Sequence, residues 1–116
     1  MIDKATIWEL MKDFIYASIK GLMMKYGAYE PNNLQTWKNI EARVREFTEK
    51  LVPTGHLSEC KVVCDGTINT DETVDANECH LKFFWKVKEN DEFTEVDFDI
   101  MPDQGCVYSE VSVGVL

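Results

Sequence analysis

The sequence predicts an α+β fold in which two amphipathic helices pack on one face of a small, mainly antiparallel β-sheet. Apolar residues recur at intervals of three and four through the first half of the chain. Beyond Pro53 and Gly55 the repeat changes to two, and the alternating runs are joined by short polar turns, as antiparallel neighbours require. With 116 residues, the chain can bury one modest core and not two, so a single domain over 1–116 is expected.

The first helix is expected from Thr6 to about Tyr26. Ile7, Met11, Phe14, Ile15 and Leu22 fall on one face, with Trp8 and Ile19 beside them and Glu9, Lys12, Asp13 and Lys20 opposite. Met23 and Met24 break the pattern by projecting towards the polar side, near Lys12 and Lys20. Those four residues form a candidate partner-facing patch, because flexible thioethers suit interfaces. Pro31 stops the helix, and Asn32 with Gln35 resembles a capping box that starts a second one. Leu34, Trp37, Ile40, Val44, Phe47 and Leu51 give it a core face, with Glu41/Arg45 and Glu46/Lys50 as i,i+4 pairs outside.

Cys60, Val62 and Cys64 alternate with Lys61, Val63 and Asp65 in a first strand, and 66–77 reads as a long polar connection. Leu81, Phe83, Trp85 and Val87 alternate with His80, Lys82, Phe84, Lys86 and Lys88. After a turn at 89–92, Val96, Phe98 and Ile100 alternate with Glu95, Asp97 and Asp99, so lysines and acids should pair across the outer face. The segment 101–105 turns the chain again. Val107, Ser109, Val111, Val113 and Val115 form a last alternating run.

Composition narrows the function. With 45% hydrophobic and 28% charged residues the chain should fold, and no apolar run approaches the ~20 residues of a membrane span. Met1-Ile2-Asp3-Lys4 leads into an amphipathic segment unlike a signal peptide, so a cytosolic origin is expected. A net charge of −9 disfavours nucleic acid and anionic membranes as partners. Cys60, Cys64, Cys79 and Cys106 are then expected to be reduced and buried.

No set of residues assembles into recognisable chemistry. A zinc site drawn from Cys60, Cys64, Cys79, His80 and His56 is disfavoured. Cys60 and Cys64 would lie about 13 Å apart on a strand, and Cys79 and His80 point to opposite faces. Asp65, Asn69, Asp71, Glu72, Asp75 and Glu78 lack the glycine position of a calcium loop. Neither histidine has a nucleophile in a known motif, and no glycine-rich phosphate cradle is present, so neither an enzyme nor a cofactor is expected.

The C-terminal strand is different in kind. Val107, Tyr108, Ser109, Glu110, Val111, Ser112 and Val113 are β-prone with one charge among them, and at a sheet edge they would offer unpaired backbone groups to another chain. Residues 102–116 are accordingly a candidate strand-exchanging arm.

One further pattern is legible. Ile15-Tyr16-Ala17-Ser18-Ile19, Glu30-Pro31-Asn32, Trp37, Val62-Val63-Cys64-Asp65, Asn69-Thr70, Asp75 and Asn77-Glu78, in this order before the strand through Leu81, resemble the C-terminal domain of contractile phage tail sheath proteins. The resemblance covers roughly 6–100. It implies a mechanical, non-enzymatic subunit of the virion tail, made in the host cytoplasm, that packs around the tail tube and adds strands to neighbouring subunits. By the same resemblance the patch of Lys12, Lys20, Met23 and Met24 would face the tube. The family carries several hundred residues before this domain, which implies here a sheath-like component, a fragment, a baseplate sheath initiator or a neck or cap adaptor. A small host-directed binding module is the reading from another class.

Overall fold

The computed structural model describes residues 3–55, 57–87 and 91–114. Helix α1 spans Lys4–Gly27 and α2 spans Leu34–Glu49; a 3-10 turn at Val52–Thr54 leads into strand β1, Leu57–Val63. A short helix α3 (Asp71–Asp75) precedes β2 (Cys79–Val87), β3 (Phe93–Met101) and β4 (Gly105–Gly114). The four strands form one sheet in the order β1-β2-β3-β4, each antiparallel to the next. Helix α1 lies over β3 and β4, and α2 over β1, so the α+β layering has the predicted form. His56, the turn residues Glu89 and Asn90, and Val115 lie outside the described residues.

Strand alternation divides the sheet cleanly. Val62, Leu81, Phe83, Val96 and Phe98 point under the helices and join Ile15, Tyr16, Ile19, Met23, Ile40 and Val44 in one apolar core. The same alternation puts Lys61, His80, Lys82, Lys86, Glu95, Asp97 and Asp99 on the opposite, uncovered face.

The helices differ from the sequence reading in rotation. On α1 the buried row is Ile15, Tyr16, Ile19 and Met23, while Ile7 and Phe14 are exposed. The helix is apolar on two sides, and the sheet selects the side carrying Tyr16, whose hydroxyl has partners there. Met23 is fully buried, with the Cys106 thiol 3.8 Å from its sulfur, so it belongs to the core and not to a surface patch. On α2 the cap is Asn33, which accepts from the Thr36 amide at 3.1 Å, one residue later than predicted. Glu41 pairs with Arg45 as expected, whereas Glu46 lies 4.0 Å from Arg43. At the crossing of α1 and α2, a Cβ on Gly27 would stand 2.8 Å from the end of the Ile40 side chain, so glycine allows that approach without displacing it.

Asn32 is released for another task. It accepts from the Trp37 indole at 2.7 Å and donates to the Glu78 carbonyl at 2.7 Å, tying the start of α2 to the start of β2. The connection between β1 and β2 is also more ordered than a plain loop. Thr70 and Thr73 form a reciprocal cap that turns 71–75 into α3, a single turn that Asp71 and Glu72 favour at its N-terminal end. Beneath it Asn69 is 2% exposed. Its side chain accepts from the His80 amide at 2.7 Å and donates to the His80 carbonyl at 2.9 Å and the Asp65 carbonyl at 3.2 Å.

Replacing Asn69 strands those backbone groups in a closed site. Asn69→Ala is expected to lower unfolding stability by about 2–4 kcal/mol, read as a fall in the urea midpoint at constant slope. A change below about 0.5 kcal/mol would show that water substitutes for the amide.

Candidate interaction surface

Two strands form the edges of the sheet, and they are guarded differently. Strand β1 carries a register irregularity between Leu57 and Glu59, and exposes Glu59 and Lys61 along its length. Irregularities and charges of this kind block the approach of a foreign strand. Strand β4 is ten residues long with no proline, lysine or arginine; its register is also irregular at its end, between the partners of Phe93 and Thr94, and regular from Ser112 back to Gly105, so the two edges differ in charge. Its far edge has no neighbouring strand among the described residues. Val107, Ser109 and Val111 lie on the uncovered face opposite Asp99, Asp97 and Glu95, and the two valines are exposed. The side chains of Ser112 and Val113 lie outside the described set.

Along its other side β4 is already paired with β3 from Met101↔Gly105 to Phe93↔Gly114. Cys106, Tyr108 and Glu110 turn under α1, so 105–114 completes this sheet and does not stand free as an arm. The Tyr108 ring lies 5.5 Å from Phe98 and 5.1 Å from Tyr16 between centroids. The Tyr16 hydroxyl donates to Glu110 at 2.6 Å and accepts from the Trp85 indole at 3.1 Å, joining α1 to β2 and β4. Burial and then the Glu110 carboxylate hold the Tyr16 phenol well above its ordinary range.

The remaining candidate residues gather on the same strand. Lys12 bonds Glu9 at 2.9 Å and lies 3.9 Å from Glu110. Lys20 sits 5.6 Å above the Tyr108 ring. Met24 is half-buried beside Gly105. The structure thus brings Lys12, Lys20 and Met24 to the inner side of the edge strand, where they hold it in place, and takes Met23 into the core.

The uncovered face is an ionic lattice. Lys82 lies 3.3 Å from Glu95 and 4.0 Å from Asp97, as the sequence predicts for β2 against β3, and Lys86 lies 3.6 Å from Glu59. His80 bonds Asp99 and stands 3.1 Å from Glu78. Asp97 has a buried oxygen without a hydrogen-bond partner. Burial, with Glu95 beside it, pushes its carboxyl up to about 6. Sequence pattern placed Asp97 on the wet face but gave no sign that one oxygen is closed off there.

The cysteines are thiols. Cys64 bonds Cys79, and that bond together with burial holds the Cys64 proton in place; burial raises Cys60 to about 12 and Cys106 to about 11. Among the described residues no three histidine, cysteine or acidic side chains converge on a metal position. No helix among the described residues is long and apolar enough to cross a membrane. No family model matches the chain, and no curated protein or solved structure is similar to it.

Two outcomes follow from the buried polar groups. Tyr16→Phe, which deprives Trp85 and Glu110 of their partner, should cost about 1–2 kcal/mol at neutral pH. Because the folded phenol is raised above its unfolded value near 10, its contribution is present below that pH and lost above it. The wild type should therefore lose stability in alkali faster than Tyr16→Phe, by chemical denaturation across pH. For Asp97 the folded value also lies above the unfolded one, near 4, so the carboxylate opposes folding in full above about 6, and that opposition fades as pH falls from there towards the unfolded value. Asp97→Asn should melt higher than wild type under mildly alkaline conditions, with the gap closing as the pH approaches 4.

Proposed function

We propose that this chain is a non-enzymatic structural subunit of a contractile phage tail, a sheath or sheath-like component that assembles by adding a strand to the free edge of β4. The observation that supports it most is the edge itself: a ten-residue strand without proline, lysine or arginine, regularly paired from Thr94↔Ser112 to Met101↔Gly105 and held against the sheet by Tyr16, Lys12 and Lys20 on its inner side. Backbone hydrogen bonds would give such an assembly direction, and the exposed Val107 and Val111 would set its register. Many weak copies of the same contact add along a polymer.

The resemblance to tail sheath domains supports the same reading. The residues that carry it are structural: Asn32 with Trp37 and Glu78, and Asn69 with Asp65 and His80, pin the β1–β2 connection. Exchange of the whole segment 102–116 would strip Tyr108 from Phe98 and Tyr16. Addition of a partner strand to the free edge leaves those contacts intact and is the form proposed. The partners are neighbouring sheath-like subunits together with tube and baseplate proteins; neither nucleic acid, membrane nor cofactor is involved.

Lysines on the edge test this directly. In the double variant Val107→Lys, Val111→Lys the new ammonium groups can pair with Asp99 and Glu95 across β3, so the fold should persist while a foreign strand meets charge. Light scattering and negative-stain imaging should show ordered polymers for the wild type and none for the variant. Polymers from both, or from neither, reject the assembly mode.

A further inference from the structure

Helix α1 is apolar on the side away from the sheet as well. Ile7, Leu10 and Phe14 are 37%, 59% and 63% exposed, and at steps of three and four they continue into Ser18, Gly21 and Lys25 along one straight stripe. Single exposed apolar side chains are ordinary, but three over two turns of one helix form a surface. The second half of the stripe is concave. Ser18, Gly21, Leu22, Tyr26 and Phe47 border a groove of about 480 Å³ between α1 and α2.

Gly21 makes this groove. It sits within α1, where glycine weakens a helix relative to alanine, and a Cβ built there would meet no atom within 4 Å. Nothing within the monomer asks for its small size. One half of the stripe thus carries a phenyl ring that stays 63% exposed although its neighbour on α2, Phe47, lies 6.3 Å away edge-on, and the other half, two turns on, has a notch.

We propose that α1 pairs with α1 of a second copy, antiparallel and two-fold symmetric, with Phe14 of each entering the Gly21 notch of the other. A two-fold interface must be self-complementary, residue by residue. Seating Phe14 against Gly21 sets the axis beside Ala17 and Ser18, which brings Asp13 next to Lys20 of the second copy, twice over. Neither Asp13 nor Lys20 makes an ion pair among the described residues; Lys20 lies over the Tyr108 ring. Opposite charges on α1 therefore meet only in this orientation; Asp13 and Lys20 share one flank of the stripe, and a parallel pair would put that flank on opposite sides of the two helices, apart from each other. Leu10 would meet Tyr26 and the stem of Lys25 at the groove's far end. Apart from Lys20, which also lies over Tyr108 of β4, this surface is separate from the β4 edge, and it does not depend on strand addition.

The test is sedimentation equilibrium from low micromolar to millimolar protein, in the Val107→Lys, Val111→Lys background so that edge assembly and its failure are read separately. That protein should form a dimer, and Gly21→Trp and Phe14→Glu should each weaken it by about tenfold or more, with helical circular dichroism unchanged. Asp13→Lys and Lys20→Asp should each weaken the homodimer, and mixing these two variants should restore association as a heterodimer, because both contacts are then attractive. A background protein that stays monomeric, a dimer indifferent to Gly21→Trp and Phe14→Glu, or a charge-reversed mixture that fails to associate would each overturn the proposal.

Discussion

The fold depends on a buried amide. Fifteen residues separate β1 from β2, and a connection of that length across the end of a core carries backbone groups that must find partners away from water. Asn69 supplies both a donor and an acceptor at the point where the connection rejoins the sheet, bonding the amide and carbonyl of His80 and the carbonyl of Asp65. Once β2 is fixed in this way, Asn32 can bond Glu78 and hold the start of α2 against the same end. The register of β2, and through it of β3 and β4, therefore begins at a residue that the hydrophobic pattern alone would assign to a loop.

Tyr16 plays the corresponding part at the other side of the sheet. Helix α1 could bury either of two apolar faces, and burial area alone does not choose between them. The hydroxyl chooses, because only with Tyr16 inward does it meet the Trp85 indole and the Glu110 carboxylate together. Phe14 and Leu10 are left outside as a consequence. The exposed stripe and the ordered edge strand are two results of one rotation of α1.

Much of this was legible in the sequence. Period two located β2 and β3 and their lysine–acid pairing, since Lys82 and Glu95 read as opposite charges on facing strands. Period three and four located α1 and α2. The sequence does not reveal which face of α1 turns inward, because Ile7, Phe14 and Leu22 make as good a stripe as Ile15, Ile19 and Met23. The alternation in β4 does not tell which row turns inward: Cys106 and Tyr108, and not the valines, are the residues under α1. Helix α3 rests on two threonine hydroxyls, a signal too short to stand out in a polar loop. The candidate residues Lys12 and Lys20 were found by charge on one helix, but their common neighbour, β4, follows from tertiary packing alone.

The two edges of the sheet show what selection against aggregation would produce and where it is missing. A chain with net charge −9 has charge to spare, and β1 uses Glu59 and Lys61 together with an irregular register to close its edge. The acids of β3 stand next to β4, opposite Val107, Ser109 and Val111, where lysines would find ready cross-strand partners at little cost. Valine and serine stand there instead. One edge thus carries charges along its length, while the other carries valine and serine at positions where the acids of β3 could have paired a guarding lysine.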